Sequence, residues 1–497
     1  MHTRHSRRDF LLGAAALSAQ IATAQTKRPN ILFAIADDWG YNHAGVYGCD
    51  WIKTPNFDRV ANEGVRFTNC FTSNPKCSPS RATILTGRNS WQLREAISHY
   101  SIFPKGLTLY PDLLEKAGYF VGMTGKGWGP GDYQSTGYPH NPAGHEFQKF
   151  NLKPPYTGIA ATDYLRNFED FVNHKGSGQP FCFWLGGREP HRPYEEGSGI
   201  RAGRDPKSVK LPAYLPDRRP VRSDFLDYAL EVEWFDQQLG RVLKKLEEIG
   251  ELDNTFIVVT SDNGMPFPRV KGQIYEEAFH LPMSVRWGGH IAGGRVIGDF
   301  INFRDFAPTF MEVAGLHPAP SMTGRSFLDI LKSGKSGIVD PTRNVMLAGK
   351  ERHDLGRPHD QGYPVRAIRT LQYFYVRNYE PDRWPAGNPE TDYRNVDDGP
   401  SKASVTSQFD EYYRMSFGKR PAEELYLIEK DPSCMQNLAA DPKYAAIKSE
   451  LRERMEKMLK DEGDPRMLGN AAFFDTIKYT GPDSHSYDNY LKHSTAK

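Results

Sequence analysis

Asn30-Ile31-Leu32-Phe33-Ala34-Ile35-Ala36 is a continuous apolar run that follows Pro29 without the polar alternation of a half-exposed strand. Such a run predicts a strand covered on both faces, as in a parallel sheet. Phe181 to Leu185 and Thr255 to Thr260 have the same texture. Tyr119 to Met123 reads as a further strand, and Val65 to Phe71 alternates like one. Helical patterns stand between them. One runs from Thr54 to Gly64, with Pro55 near its start, and another from Pro111 to Ala117, closed by Gly118. A long one follows Ser223, where Phe225, Tyr228, Val232, Phe235, Leu239, Val242 and Leu246 recur at helical spacing before Gly250. Residues 130–160 and 197–222 read as surface loops. Strand and helix alternate to about residue 330, which predicts an α/β fold with a mainly parallel central sheet and helices on both faces. Beyond residue 365 the texture changes. Val365 to Tyr379 and Glu424 to Ile428 suit an antiparallel hairpin sheet, residues 380–420 a polar loop, and Tyr444 to Leu459 a terminal helix. From Gly463 onward few residues suit a core. The expected organisation is residues 1–24 as an export signal, 25–365 as the main domain and 366–497 as a smaller α+β domain.

The polar clusters stand where the strands end. Asp37-Asp38 closes the first strand, Gly125-Lys126-Gly127-Trp128 follows the Tyr119 strand, Glu189-Pro190-His191-Arg192 follows Leu185, and Ser261-Asp262-Asn263-Gly264 ends the Thr255 strand. In open α/β sheets ligands bind beyond the carboxyl ends of the strands. Asp37, Asp38, Asp262 and Asn263 offer oxygen ligands only, a set suited to Ca²⁺ or Mg²⁺ rather than zinc, with the amide mildly favouring Ca²⁺. Lys126, Lys271, Arg81 and His191 are candidate anion binders. Cys77-Ser78-Pro79-Ser80-Arg81 places a cysteine at the mouth of a helix, where backbone donors and the helix dipole favour negative charge.

Charge and composition narrow the class. The chain of 497 residues is 38% hydrophobic and 25% charged, the balance of a globular protein. Ser6-Arg7-Arg8-Asp9-Phe10-Leu11-Leu12 is a twin-arginine pattern, followed by a short apolar run and the small-x-small site Ala22-Thr23-Ala24. The apolar run is too short to span a bilayer. Without this segment 60 basic residues face 60 acidic ones, so no overall pull toward nucleic acid or membrane remains, and recognition of a polyanion has to be local. Five cysteines at irregular spacing, with no C-x-x-C pair, argue against a disulfide framework or a thiolate zinc site.

Cys77-x-Pro79-x-Arg81 resembles the signature of the sulfatase family, whose cysteine is converted to Cα-formylglycine. Asn30 to Asp38, Thr54-Pro55-Asn56 with Gly64 to Asn69, Thr260 to Gly264, and Lys271-Gly272-x-x-Tyr275-Glu276 resemble the same family in the same order. The resemblance implies an alkaline-phosphatase-like sandwich. It implies Ca²⁺ held by Asp37, Asp38, Asp262 and Asn263. Arg81 and Lys126 would steady the formylglycine and the sulfate, and His191 and Lys271 would bind sulfate, with His191 the proton donor to the leaving atom. Its hydrated aldehyde would attack sulfur through one hydroxyl and release sulfate as the second collapses to the aldehyde, a step unavailable to serine. Cys77 to Ala82, Asp262 to Pro268, Pro190-His191-Arg192 and Pro364-Val365-Arg366 resemble the N-sulfatase (sulfamidase) branch, and imply the N-sulfate of glucosamine in heparan-type saccharides as substrate. An O-sulfatase, a phosphonate or phosphate monoester hydrolase, and a non-catalytic sulfoglycan-binding protein are the alternatives. Two positions depart from the pattern: Trp128 stands where the family has a histidine, and Lys271 where the sulfamidase branch tends to have arginine. Glu351, His353, Asp354 and His359 lie in a polar loop from which His353 and Asp354 are expected to reach the sugar. The implied partners are a sulfated glycan, a formylglycine-generating enzyme and the twin-arginine export machinery, with no nucleic acid and no membrane after cleavage.

Overall fold

The strand Asn30–Ala36 is buried along its whole length and divides its side chains between two cores. Ile31, Phe33 and Ile35 face a layer built on the helix Cys77–Thr86 and the helix Phe306–Val313. Leu32, Ala34 and Ala36 face the long helix Arg219–Glu248. The unbroken apolar run is therefore two alternating faces superimposed, each covered by helices. The structure is a computed structural model that describes residues 27–482 and 486–494, and the expected export segment lies outside them.

The central sheet takes the order Arg295–Ile297, Val65–Phe71, His280–Arg286, Thr255–Ser261, Asn30–Ala36, Phe181–Gly186, Phe120–Gly125, His145–Glu146, with Ile301–Asn302 also on Val65–Phe71. Neighbours run parallel except His280–Arg286, which is antiparallel to both of its partners. Asn30–Ala36 lies between Phe181–Gly186 and Thr255–Ser261, so their ends bring Asp37, Lys126, His191 and Asp262 to one edge. No helix among the described residues is long and apolar enough to cross a membrane.

A second sheet of four antiparallel strands is ordered Val345–Lys350, Val365–Thr370, Tyr373–Asn378, Glu423–Leu427. The helix Ala445–Asp461 covers one face through Leu451, Met455 and Leu459. Four expectations are corrected. The second sheet begins at Val345, ahead of residue 365, because Val345-Met346-Leu347-Ala348 is itself an apolar run that pairs with Val365–Thr370. Residues 380–420 are not a loop of the smaller domain: they contain helices Pro400–Thr406 and Glu411–Phe417, and Tyr393, Val405 and Phe417 pack into the core of the long helix. The tail beyond Gly463 carries anchors, since buried Asp464 grips Arg366 through two hydrogen bonds of 2.7 and 3.0 Å. The long helix also starts at Arg219 rather than after Ser223, with Pro220 in its first turn where a missing N–H costs nothing.

Candidate active site

Cys77 is the first residue of its helix, and all ten residues of Cys77–Thr86 are buried. Its Sγ lies 3.4 Å from Asp37 Oδ1, 3.7 Å from Lys271 Nζ and 3.9 Å from Asn263 Oδ1. Burial and the Asp37 charge push the thiol up to about 12, against the pull of Lys126 and Lys271. At neutral pH the side chain is therefore a neutral thiol, and an unmodified thiolate nucleophile is disfavoured at this position.

Around Cys77 the four predicted oxygen-bearing residues converge. One ligating atom each from Asp37, Asp38, Asp262 and Cys77 fall within 4.8 Å of one another. Asp38 adopts a positive φ of 76°, a conformation rare outside glycine that marks a held, functional position. Asn263 donates through Nδ2 to Asp38 Oδ1 at 2.5 Å and to Asp262 Oδ1 at 3.1 Å, which leaves Oδ1 on the Cys77 side. Asp38 Oδ2 is buried with no hydrogen-bond partner among the described residues, and His191 Nε2 stands 3.9 Å from it. A buried carboxylate oxygen without a partner costs free energy, and a hard divalent cation satisfies it. The residues present fit such an ion.

The cationic groups brace this acidic floor. Lys126 Nζ pairs with Asp37 and Lys271 Nζ with Asp38. Burial raises the Asp37 pKa, but Lys126, His191, Arg81 and Lys271 outweigh it and hold the carboxyl well below the usual range. Asp262 goes the other way, to about 6, because burial and the Asp37 charge exceed the effect of Arg81 and Lys126. Arg81, one turn after Cys77, donates from Nε to Asp262 at 2.7 Å and from Nη1 to the Lys126 carbonyl at 2.5 Å and the Gly127 carbonyl at 3.0 Å. Arg81 thus ties two strand ends together, and its Nη2 has no hydrogen-bond partner among the described residues. His191 contacts the Arg192 carbonyl through Nδ1 at 2.6 Å, an acceptor that fixes the proton on Nδ1 and turns Nε2 toward Asp38.

A cavity of about 580 Å³ opens above this floor. Asp37, Lys126 and His191 line it, as does Asp354, the one residue of the expected sugar-binding pair that reaches it. Asp354 accepts from Lys76 at 3.1 Å and His99 Nδ1 at 2.8 Å. His353 does not line the cavity. Its ring is buried, with Nδ1 3.0 Å from the Gly272 carbonyl oxygen and Nε2 2.7 Å from Asn74 Oδ1, so its polar atoms are spent inside the protein. Trp128, at the departure from the family pattern, packs edge-on against Phe103 at 4.8 Å and belongs to the core beneath the sheet. Lys76, His99, Tyr100 and Asp397 line the cavity and were not singled out by the sequence. Lys76 adjoins Cys77, which is a signal of a kind. Asp397 arrives from the 380–420 segment, 3.9 Å from Lys271, and nothing in its local sequence announces it.

Carboxylates, lysines and a cysteine at the carboxyl edge of a mainly parallel sheet, under an open polar cavity, define a hydrolase built to hold a tetrahedral oxyanion. The chain belongs to the sulfatase family: the family model described as Sulfatase matches residues 29–316. A second model, described as N-sulphoglucosamine sulphohydrolase, C-terminal, matches residues 270–385. The chain is similar to an ulvan-active sulfatase of Formosa agariphila, 27% identical over 474 residues and covering 89% of this chain and 76% of the relative. It is similar to the human N-sulphoglucosamine sulphohydrolase, 27% identical over 508 residues, covering 90% and 93% of the two chains. Among solved structures, one described in complex with its substrate D-glucosamine-2-N,6-O-disulfate superposes with a TM-score of 0.66 at 23% identity, over 88% of this chain and 99% of its own. The fold is the alkaline-phosphatase-like sandwich of the sulfatases, with an antiparallel four-stranded sheet toward the C-terminus. Sulfatases generally use a formylglycine and a metal ion.

Proposed function

We propose that this sulfatase removes the N-sulfate of glucosamine from heparan-type saccharides, with Ca²⁺ at the acidic floor and Cys77 converted to formylglycine. The observation that carries the substrate is the match of residues 270–385 to the C-terminal model of N-sulphoglucosamine sulphohydrolases. The human relative of that name supports it, since the similarity extends over 93% of its length. The cavity above the floor is large enough for a sugar with a neighbouring unit.

In this reading the formylglycine supplies a hydrated aldehyde whose hydroxyl is the nucleophile toward sulfur. Asp37, Asp38, Asp262 and Asn263 would hold Ca²⁺, which supplies positive charge beside the sulfate oxygens. The other roles fall to the chain's own side chains. Lys126 and Lys271, each already paired with a carboxylate of the floor, offer their remaining N–H groups to sulfate oxygens. Arg81 fixes Asp262 and the Lys126–Gly127 backbone, so that the floor keeps its shape as charge moves. In its doubly protonated form His191 keeps the Nδ1 proton on the Arg192 carbonyl and gives the Nε2 proton to the leaving nitrogen, returning to the neutral Nδ1–H ring. Asp354 accepts from sugar hydroxyls at the wall.

Cys77 is 1% exposed, so its conversion by a formylglycine-generating enzyme has to precede closure of the fold. Export through the twin-arginine machinery after cytoplasmic folding is consistent with that order. The test is release of inorganic sulfate from N-sulfoglucosamine and from glucosamine 6-O-sulfate under the same conditions. Faster release from the N-sulfated sugar is expected. Equal or reversed rates would remove the N-sulfate assignment and leave a sulfatase of another position.

A further inference from the structure

Lys350 is a buried lysine with no carboxylate partner among the described residues. Its Nζ donates to the Gly272 carbonyl at 2.7 Å and reaches the Pro385 carbonyl at 3.4 Å. Burial, with Arg357 and Lys76 beside it, holds its pKa well below the lysine range. Three residues on, His353 sits against the same carbonyl at 3.0 Å and against Asn74 Oδ1 at 2.7 Å.

Both contacts join catalytic loops. Gly272 directly follows Lys271, and Asn74 stands three residues before Cys77. Gly272 has a φ of +65°, and a Cβ there would come 3.2 Å from His353 Nδ1, so the imidazole lies close against the backbone turn. Asn74 is held from its other side by the Ile97 carbonyl, to which Nδ2 donates at 3.0 Å, so it is a fixed point rather than a free rotor. Lys271 Nζ lies 3.7 Å from Cys77 Sγ, and the separation of those two groups depends on how the Gly272 and Asn74 loops sit relative to each other. Lys350 ends the edge strand of the antiparallel sheet, and His353 follows it closely. That sheet therefore reaches into the catalytic floor through a short strap.

We propose that Lys350 and His353 are positioning residues that set Lys271 against the Cys77 loop, the imidazole wedged between the Gly272 carbonyl and Asn74 and donating its single N–H to one of them, and the amine holding the Gly272 carbonyl. This rests on the sulfate-binding role given to Lys271 above, but not on which sulfated sugar is the substrate. Neither residue touches the substrate in this arrangement. Their effect is on the grip on sulfate and on turnover, rather than on recognition of the sugar.

The experiment measures, on the mature full-length enzyme, the inhibition constant of inorganic sulfate and the kcat for p-nitrophenyl sulfate, together with the melting temperature. His353→Ala is expected to weaken sulfate inhibition and lower kcat, each by about 10- to 100-fold, the range seen when groups behind a catalytic shell are removed. His353→Gln, which restores a donor toward Gly272, should recover part of both. Ile368→Ala is the control, since Ile368 lies in the same sheet but faces the C-terminal helix. It should lower the melting temperature and leave the sulfate constant unchanged. An unaltered sulfate constant in folded His353→Ala, or an equal change in Ile368→Ala, overturns the proposal. If His353→Ala does not fold, Lys350→Met is judged on the same two criteria. An enzyme that turns over only O-sulfated sugars would end the N-sulfate reading and leave this one standing.

Discussion

The cavity has a floor and a wall, and they are built differently. The floor is delivered by strand ends: Asp37-Asp38, Lys126 and Asp262-Asn263 each sit directly after a buried strand of the central sheet. The wall comes from segments that the sheet does not order. Lys76 immediately precedes the Cys77 helix, His99 lies in a run of short turns, Asp354 follows the edge strand of the second sheet, and Asp397 comes from the 380–420 segment. A strand end fixes a side chain to within the geometry of the sheet, so the floor can carry chemistry that depends on sub-ångström placement. A loop wall can change without disturbing that geometry, which makes it the place to set which sugar is accepted.

The sharpest division between the two is made at the nucleophile. Cys77→Ala should lower sulfate release by at least about 10⁴-fold, the scale of removing a covalent nucleophile. Binding of the proposed Ca²⁺ should stay within a few-fold by calorimetry, since Asp37, Asp38, Asp262 and Asn263 keep their places. Retained turnover would show that the floor does not work through Cys77. Loss of Ca²⁺ binding along with turnover would mean that the cysteine shapes the acidic cluster.

The seam between floor and wall can be tested without chemistry. Glu276, five residues after Lys271, is buried and takes two hydrogen bonds from Arg369 of the second sheet, at 2.9 and 3.0 Å. Burial would raise its pKa, but Arg369 and His280 bring it from 4.5 down to about 2. A carboxyl depressed in the folded state stabilises above its unfolded pKa and loses that contribution as pH falls from about 4.5 toward 2. The shift corresponds to about 3 kcal/mol at neutral pH. Glu276→Gln should lose about this much in urea unfolding at pH 7 and show a flatter decline between pH 5 and 2.5. An unchanged acid limb would mean that the two sheets are held together elsewhere.

This division also explains what the sequence made visible. Asp37, Asp38, Lys126, His191 and Asp262 were legible because a buried apolar run followed by a polar cluster is a local pattern, and the strand end that creates it also aims the side chain. Lys271 stands on a loop after Asp262 rather than at a strand end; its basic side chain marked it as a candidate anion binder, and the Lys271-Gly272-x-x-Tyr275-Glu276 pattern added its place in the family. The wall was mostly hidden. Asp397 lies 126 residues beyond Lys271 in the chain, and its approach depends on Tyr393, Val405 and Phe417 packing on the long helix, a contact between distant segments that no local periodicity reports. His353 and Asp354 are neighbours with opposite fates for a related reason. Two adjacent residues in a loop point in different directions, and only the tertiary structure decides which one meets the cavity and which one is absorbed between Gly272 and Asn74.

The smallest expected effect is the one that separates the wall from the floor. Burial raises the Asp354 carboxyl, but Lys76 and His99 outweigh it and keep the group ionised well below the usual range. Asp354→Asn keeps the shape and removes the charge that holds Lys76 and His99 in place at the cavity rim. The Cys77, Lys271 and Asp38 contacts do not pass through it. KM for the sulfated sugar should therefore rise about 10-fold, the scale of one charge-assisted hydrogen bond. The kcat should change by less than about threefold, and inhibition by inorganic sulfate should not change. The two constants come apart because sulfate alone touches the floor while the sugar also touches the wall. If sulfate inhibition weakens together with KM, Asp354 acts through Lys76 on the Cys77 loop and belongs with the floor, and the boundary between the two regions moves to Lys76.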